Sequence, residues 1–176
     1  MKGIYLLHLK ILGDIEIEVG KLGSIKFEKG EYVYVGSDQR NIERRIQRHA
    51  SKKKKKKWHI DHVTLHEKVS VATAYIYDLP KRYECEVAKI MLGMKFRIFG
   101  GFGSSDCSCP SHFFKISDDF NKLVLEISNR IRTQPSSKIE FANHAAADSS
   151  RTSCQLSGLS SSRNSRQLIS RVHRLP

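Results

Sequence analysis

The feature that most constrains the fold is a series of short β-rich segments, separated by glycines, in the first 36 residues. Residues 3–12 are strongly apolar, as expected of a buried or half-buried strand. Residues 14–19 alternate strictly between apolar and acidic side chains, and two further β-rich runs cover residues 24–28 and 32–35. Because glycines between these runs supply turns, the pattern predicts an antiparallel sheet.

After residue 36 the hydrophobic period becomes helical. A helix is predicted from about residue 40 to residue 50, capped by Ser37 or Asp38, with Ile42 and Ile46 on its apolar face. The remaining predicted elements are a helix, or a turn into one, at 58–65, a strand at 69–77, a helix at 84–94, an edge strand at 113–116 and a closing helix at 118–127. The fold class expected from this order is α+β, a small and mainly antiparallel sheet flanked by helices.

Basic charge is concentrated in one loop and in the C-terminal segment. The chain has 31 Lys and Arg against 18 Asp and Glu, a formal net charge of +13, which suits a polyanionic partner, nucleic acid first. The run Lys52–Lys57 is predicted to be an exposed loop. Residues 129–176 are basic, rich in serine and poor in aromatic residues. We therefore expect one domain over residues 1–128 and a disordered tail over residues 129–176.

Hydropathy and cysteine content indicate a compartment. No apolar run approaches the roughly 18–20 residues that span a bilayer, and the N-terminus lacks a signal-peptide pattern. Four cysteines are too few and too clustered for a disulfide scaffold, and they favour the reducing cytoplasm. These residues are Cys85, Cys107, Cys109 and Cys154. A cytoplasmic protein without a membrane partner is expected.

Two tripeptides carry the functional prediction. Gly3-Ile4-Tyr5 opens the first predicted strand, and Tyr34-Val35-Gly36 closes the strand before the basic helix at 41–49. Together they resemble the signature of the GIY-YIG nuclease superfamily, with Val in the second half. The two strands between them, and the segments at 58–61, 84–88 and 102–112, resemble a compact stand-alone branch of that superfamily, of the type sometimes fused to endonuclease-III-like glycosylases. The resemblance covers roughly residues 2–116.

This resemblance implies a metal-dependent endonuclease that hydrolyses DNA phosphodiester bonds. Tyr5 and Tyr34 would position or deprotonate water, although a phenol with an ordinary pKa near 10 is a poor base at neutral pH. Arg45 would hold the phosphate with its planar fork of donors. Glu84 would bind one Mg²⁺ or Mn²⁺ ion together with several waters.

Two of these assignments have an alternative in the sequence. Counting forward from Gly36 without a gap selects Arg44 instead of Arg45, whereas one inserted residue matches the Asn41-Ile42 step and selects Arg45. Glu86 is the alternative to Glu84. Glu84 is preferred because apolar residues follow it at positions +3 and +4.

DNA is the expected partner, selected by its structure because a module of this size has little surface for reading sequence. RNA and a protein partner are alternatives, and the choice between DNA repair and a restriction-like role stays open. A catalytically inactive nucleic-acid-binding module of the same fold is the alternative to an enzyme. The residues expected to contact nucleic acid are Arg40, Arg44, Arg48, Lys52, Lys53, Lys54, Lys55, Lys56, Lys57 and His59.

The segment Cys107-x-Cys109-x-x-His112 invites comparison with a zinc site, with His59 or Cys85 as a fourth ligand. Its Cys-x-Cys spacing is tighter than the usual gap of two to four residues. A structural role for this loop without metal is therefore favoured.

Overall fold

The computed structural model describes residues 1–142 and a strand at residues 171–174. The strands are β1 (Gly3–Ile11), β2 (Ile15–Glu18), β3 (Ser24–Phe27), β4 (Gly30–Asp38), β5 (Val69–Tyr77), β6 (Arg97–Ile98), β7 (Phe113–Ile116), β8 (Ser137–Glu140) and β9 (Arg171–Arg174). The helices are α1 (Ile42–Ala50), α2 (His59–Thr64), α3 (Arg82–Gly93) and α4 (Phe120–Ile131). A short 3-10 turn at Gly20–Leu22 joins β2 to β3.

Within the described residues, the main sheet has seven strands in the order β6-β7-β4-β1-β5-β8-β9. Every neighbouring pair is antiparallel. The predicted α+β class, with a mainly antiparallel sheet flanked by helices, is confirmed. The expectation that the first four strands form one antiparallel sheet is wrong for β2 and β3. These two strands pair only with each other, in a separate two-stranded sheet.

Strand β1 lies at the centre of the main sheet and is buried on both faces. Tyr5, Leu7 and Leu9 pack on one face with the buried side chains of α1 and α2. Ile4 and Leu6 pack on the other face with those of α3 and α4. Because successive side chains of a strand point to opposite faces, a strand covered on both sides is continuously apolar. This burial explains the apolar run at residues 3–12.

Helix α1 begins slightly later than the sequence pattern suggested. Its N-cap is Asn41, whose Oδ1 accepts a hydrogen bond from the Arg44 amide at 3.0 Å. Asp38 instead accepts hydrogen bonds from the amides of Arg40 and Asn41 and forms the turn before the helix. The predicted caps Ser37 and Asp38 are therefore wrong for α1, whereas the predicted apolar residue Ile46 is fully buried.

The predicted domain boundary at residue 128 falls inside α4. The Ser128 hydroxyl lies 2.9 Å from the Tyr77 hydroxyl in the core, and the helix continues to Ile131. Strand β8 then pairs with β5 and buries Ile139, and β9 pairs with β8. The ordered part of the chain thus extends beyond the predicted boundary. The rest of the predicted disordered tail comprises residues 143–170 and 175–176, and these lie outside the described residues.

In the part of the chain that the structure describes, no helix has the length and apolar character needed to cross a membrane.

Candidate functional site

A cleft of about 680 Å³ opens where β4 runs into the turn before α1. Three of the predicted catalytic residues line it, and each comes from a different element. Tyr34 lies on β4, Arg45 on α1 and Glu84 on the first turn of α3. The structure therefore brings together residues that are up to 50 positions apart in the sequence.

The two predicted tyrosines lie on adjacent strands, but only one of them reaches the cleft. In the β1–β4 pair, Tyr5 is opposite Gly36 and Leu7 is opposite Tyr34, and the two tyrosine rings are 6.3 Å apart between centroids. Tyr34 is 8% exposed and lines the cleft, whereas Tyr5 is fully buried and does not line it. The two tyrosines thus occupy neighbouring strands, and only Tyr34 is accessible from the cleft.

Gly36 is required by the position of the Tyr5 ring. A Cβ atom at residue 36 would lie 2.4 Å from both Cζ and Oη of Tyr5. Real Cβ atoms do not approach other heavy atoms this closely. The glycine of the second tripeptide therefore leaves space for the tyrosine of the first.

Burial makes both tyrosines weaker acids than usual. Desolvation raises the pKa of Tyr5 well above its ordinary value, and the neighbouring Tyr34 raises it further while Arg45 opposes the rise. Desolvation also raises the pKa of Tyr34, and so does the Glu84 carboxylate, again against Arg45. Both phenols are thus protonated at neutral pH in the free protein, where they act as hydrogen-bonding groups and not as bases.

Arg45 is held at the cleft by two neighbours. Its Nε donates a hydrogen bond to Asp38 Oδ2 at 2.7 Å, and its guanidinium carbon lies 4.4 Å from the centroid of the Trp58 ring. This packing fixes the plane of a group suited to binding phosphate. The alternative Arg44 is exposed and does not line the cleft.

Glu84 is the carboxylate on α3 that faces the cleft. Its Oε2 accepts a short hydrogen bond from the Ser37 hydroxyl, and its Oε1 lies 3.1 Å from Nδ1 of His112. The side chain is 12% exposed. The alternative Glu86 is exposed and lies away from the cleft lining.

Arg48 is bound to a buried carboxylate and does not extend freely towards solvent. Its guanidinium donates to both oxygens of Asp61 at 2.8 and 2.9 Å. Asp61 is fully buried and also accepts from the amides of Lys57 and Trp58. Burial alone would raise the pKa of Asp61, but these hydrogen bonds hold it below its usual range. Arg48 thus has a structural partner in Asp61, and its expected contact with a phosphate stays a prediction.

Two lysines of the basic run are likewise bound internally. The Lys52 ammonium donates to the carbonyls of Thr64, His66 and Val69. The Lys54 side chain is only 3% exposed, and its ammonium donates to the last carbonyls of α1 and to the Thr64 hydroxyl. The expectation that all six lysines are exposed is wrong for Lys54, whereas Lys52 is exposed in addition to making these hydrogen bonds. The other four, Lys53, Lys55, Lys56 and Lys57, are exposed.

The remaining cleft wall presents further donors. His59 lines the cleft, and its Nδ1 accepts a hydrogen bond from the Gly103 amide at 3.2 Å. Burial lowers the pKa of His59, so the ring is neutral and carries its proton on Nε2. Arg40, Lys57 and Lys81 also line the cleft, and Lys81 pairs with Asp106 at 2.7 Å. These basic groups form a rim, and because Asp38, Glu84 and Asp106 belong to the same lining, the formal net charge of the cleft is about +1.

A comparison with family models gives one match, over residues 4–134, to the domain of unknown function DUF123. The chain belongs to the DUF123 family. The match begins in β1 and ends just after α4, so the whole cleft lies within the DUF123 domain. Searches of curated proteins and of solved structures found no significant match.

The DUF123 domain also uses residues that the sequence reasoning did not assign to the site. Ser37 contacts Glu84, and Lys81 lines the cleft just before the helix that carries Glu84. His49 is buried behind Arg45, with its Nε2 2.8 Å from the Tyr5 hydroxyl. The signal for His49 was present, because it follows Ile42 and Ile46 on the buried face of α1.

Four of the five residues weighed as zinc ligands are brought together in the DUF123 domain. The ligand atoms of Cys85, Cys107, Cys109 and His112 all lie within 4.8 Å of one another. Of the two candidates for the fourth position, Cys85 joins this cluster and His59 does not. The three cysteines are free thiols.

Proposed function

We propose that this DUF123 domain is a GIY-YIG-type endonuclease that hydrolyses DNA phosphodiester bonds with the help of one divalent ion. The observation that supports this proposal is the convergence of Tyr34, Arg45 and Glu84 from three elements on one cleft with a basic rim. These are the residues that the resemblance to GIY-YIG nucleases selects for water positioning, phosphate binding and metal binding. Their alternatives in the sequence, Arg44 and Glu86, lie outside the cleft lining.

Arg45 supplies the electrostatic part of the mechanism. In phosphodiester hydrolysis a water oxygen bonds to phosphorus, the bond to one ester oxygen breaks, and negative charge increases on the phosphoryl oxygens. The bond from Arg45 Nε to Asp38 leaves the other guanidinium donors for that charge. Because Asp38 and Trp58 already fix the guanidinium, little reorganisation is needed at the moment of reaction.

Tyr34 supplies a phenol at the cleft surface. Its raised pKa keeps the proton on the hydroxyl in the free protein, so Tyr34 orients the attacking water by hydrogen bonding. The proton-bearing Nε2 of His59 is a second neutral donor, suited to a phosphate oxygen. Tyr5 acts through Arg45 and His49, since it does not line the cleft.

The residues present fit a magnesium or manganese ion. Glu84 offers a carboxylate at the cleft surface with the Ser37 hydroxyl beside it, and the cleft has room for the waters that Mg²⁺ retains. Glu84 and Ser37 would hold the ion. A bound divalent ion would supply charge stabilisation for the phosphoryl and leaving oxygens.

The rim favours a nucleic acid as substrate. Arg40, Lys57 and Lys81 line the cleft, and the exposed lysines of the 52–57 loop adjoin it. Such groups contact phosphates without reading sequence. We propose DNA selected by its structure as the substrate, and the free thiols suit the cytoplasmic location that we propose for the protein.

The proposal is tested by nicking of supercoiled plasmid and of branched DNA in Mg²⁺ or Mn²⁺. We expect cleavage by the wild type and a loss of about 100-fold or more in Tyr34→Phe, Arg45→Ala and Glu84→Ala, as for removal of one stabilising donor. Arg44→Ala and Glu86→Ala are the matched controls and should stay within about threefold of the wild type.

Absence of cleavage on every substrate by folded wild-type protein contradicts the proposal. Binding that survives Glu84→Ala in that case favours the inactive nucleic-acid-binding module. Faster cleavage of structured RNA than of DNA favours the RNA-acting alternative.

A further inference from the structure

We propose that Cys85, Cys107, Cys109 and His112 form a structural Zn²⁺ site that anchors the wall of the cleft. Cys85 lies on α3, and the other three residues lie on the connection between β6 and β7. The metal would therefore join this connection to the helix that carries Glu84. The site itself is independent of the nuclease proposal.

The distances suit a tetrahedral ion. With Zn–S bonds of about 2.3 Å and a Zn–N bond of about 2.0 Å, ligand atoms of a tetrahedral site lie about 3.5–3.8 Å apart. Cys107 Sγ and His112 Nε2 are already 3.5 Å apart. The four ligand atoms all lie within 4.8 Å of one another, so closure needs contraction by about 1.3 Å at most.

The donor set selects the metal. Three thiolates and one imidazole are ligands that Zn²⁺ prefers, whereas Mg²⁺ takes oxygen ligands. Four protein ligands leave no open coordination position, which is typical of a structural zinc site. This site is thus chemically distinct from the carboxylate and hydroxyl of Glu84 and Ser37.

The connection between β6 and β7 is a segment that needs an anchor. Residues 99–112 contain no helix or strand, whereas connections in domains are typically about 4–6 residues long. The segment nevertheless buries Phe102 completely and places Gly103, Ser105 and Asp106 in the cleft lining. A zinc ion would hold it with three ligands from the segment and one from α3.

The geometry of His112 links this site to Glu84. The Nε2 of His112 faces Cys107, while its Nδ1 lies 3.1 Å from Glu84 Oε1. A zinc-bound histidine commonly donates its other N–H to a carboxylate, which fixes the tautomer of the ring. Zinc on Nε2 would leave the Nδ1 proton for Glu84 and so orient that carboxylate. This last consequence rests on the proposed role of Glu84.

The test measures metal and does not depend on nuclease activity. Full-length protein purified with a thiol reductant and dialysed is analysed for zinc by mass spectrometry, and we expect about one Zn²⁺ per chain. Replacement by Co²⁺ should give the intense visible absorption of a tetrahedral, thiolate-rich site. A chelator that removes the metal should lower the melting temperature.

Substitutions locate the site within the chain. Cys85→Ser should weaken zinc binding by more than about 100-fold, since even removal of a supporting hydrogen bond costs about 10- to 100-fold. Cys154→Ser is the matched control and should retain zinc. Glu84→Gln should weaken zinc binding by about tenfold through His112.

Three results overturn the zinc proposal. They are wild-type protein that binds neither Zn²⁺ nor Co²⁺, a disulfide within the cluster in protein kept under reductant, and folded Cys85→Ser protein that keeps its zinc. The wild-type measurements decide the matter even if Cys85→Ser does not fold.

Discussion

The Tyr5 hydroxyl lies 2.8 Å from Nε2 of His49, in the core behind Arg45. Arg45 also interacts with this hydroxyl through its guanidinium. Since the arginine can only donate, the Tyr5 oxygen is the acceptor of that interaction, and its remaining lone pair and its proton both suit the contact with His49 Nε2. A buried hydroxyl therefore connects Arg45 of the cleft with the core of α1.

This connection distinguishes the two tyrosines experimentally. Tyr5→Phe removes the shared partner of Arg45 and His49 and should lower the free energy of unfolding by about 1–3 kcal/mol. Tyr34→Phe changes a group at the cleft surface, so it should reduce plasmid nicking by about 100-fold while lowering stability by less than about 1 kcal/mol. Urea unfolding and nicking assays measure both quantities. A larger decrease of stability in Tyr34→Phe than in Tyr5→Phe would contradict these assignments.

The contact between Gly36 and Tyr5 predicts a steric effect. In Gly36→Ala the new Cβ would lie 2.4 Å from the Tyr5 hydroxyl oxygen, and the buried ring has to shift. We expect a decrease of about 1–3 kcal/mol in the free energy of unfolding, the usual range for overpacking.

Gly93→Ala is the matched control for this substitution. A Cβ at residue 93 meets nothing within 4 Å, and the residue ends α3. Alanine favours helix over glycine by up to about 1 kcal/mol, so Gly93→Ala should leave stability unchanged or raise it. Equal decreases in the two variants would show that the space around Gly36 is not the cause.

His49 predicts a dependence of stability on pH. Burial, and next the charge of Lys54, lower the pKa of His49 to about 3. The same histidine in the unfolded chain has a pKa near 6.5. Below that pH the unfolded state takes up a proton that the folded state excludes, so stability is full above about pH 6.5 and falls as the pH decreases towards 3.

The pH dependence is measured by urea unfolding at several pH values between about 7.5 and 5, on either side of the ordinary histidine pKa. The wild type should lose up to about 1.4 kcal/mol per pH unit below pH 6.5 from this residue. His49→Gln keeps a polar partner for Tyr5 and should show a flatter profile. The charged groups that face His49 are Lys54, Asp61, Arg45 and Arg48. Parallel profiles of stability against pH in the wild type and in His49→Gln would rule out His49 as the titrating group.

Local patterns predicted the elements and part of the site. The strands that carry Tyr5 and Tyr34 were predicted from their apolar and β-rich runs, but their direct pairing does not follow from those runs, because β2 and β3 lie between them in the chain and pair only with each other. The cap of α1 was wrong because three closely spaced polar residues, Ser37, Asp38 and Asn41, offer similar side-chain oxygens in one short turn region. Only the path of the turn decides which oxygen meets the free amides of the helix.

Contacts between distant segments were beyond such reasoning. Cys85 meets Cys107 because α3 packs beside the β6–β7 connection, and no local spacing encodes that distance. In the same way, a run of identical lysines gives no sign of which ammonium groups reach carbonyl oxygens. Lys52 and Lys54 lie near the ends of α2 and α1, where the last carbonyls lack hydrogen-bond partners within the helix. Their ammonium groups donate to those carbonyls.

The selection among the lysines yields the last prediction. Lys54→Ala removes the donor to the carbonyls of Arg48 and His49 and should lower the free energy of unfolding by about 1–3 kcal/mol. The matched double variant Lys55→Ala/Lys56→Ala changes two exposed residues and should leave stability within about 0.5 kcal/mol.

For DNA binding, the double variant should have the larger effect and Lys54→Ala the smaller one. The double variant should reduce the slope of log affinity against log salt by up to about 0.9 for each phosphate that these lysines neutralise in the wild type. Fluorescence anisotropy over a range of salt concentrations measures that slope, and an unchanged slope would exclude these two lysines from the DNA interface.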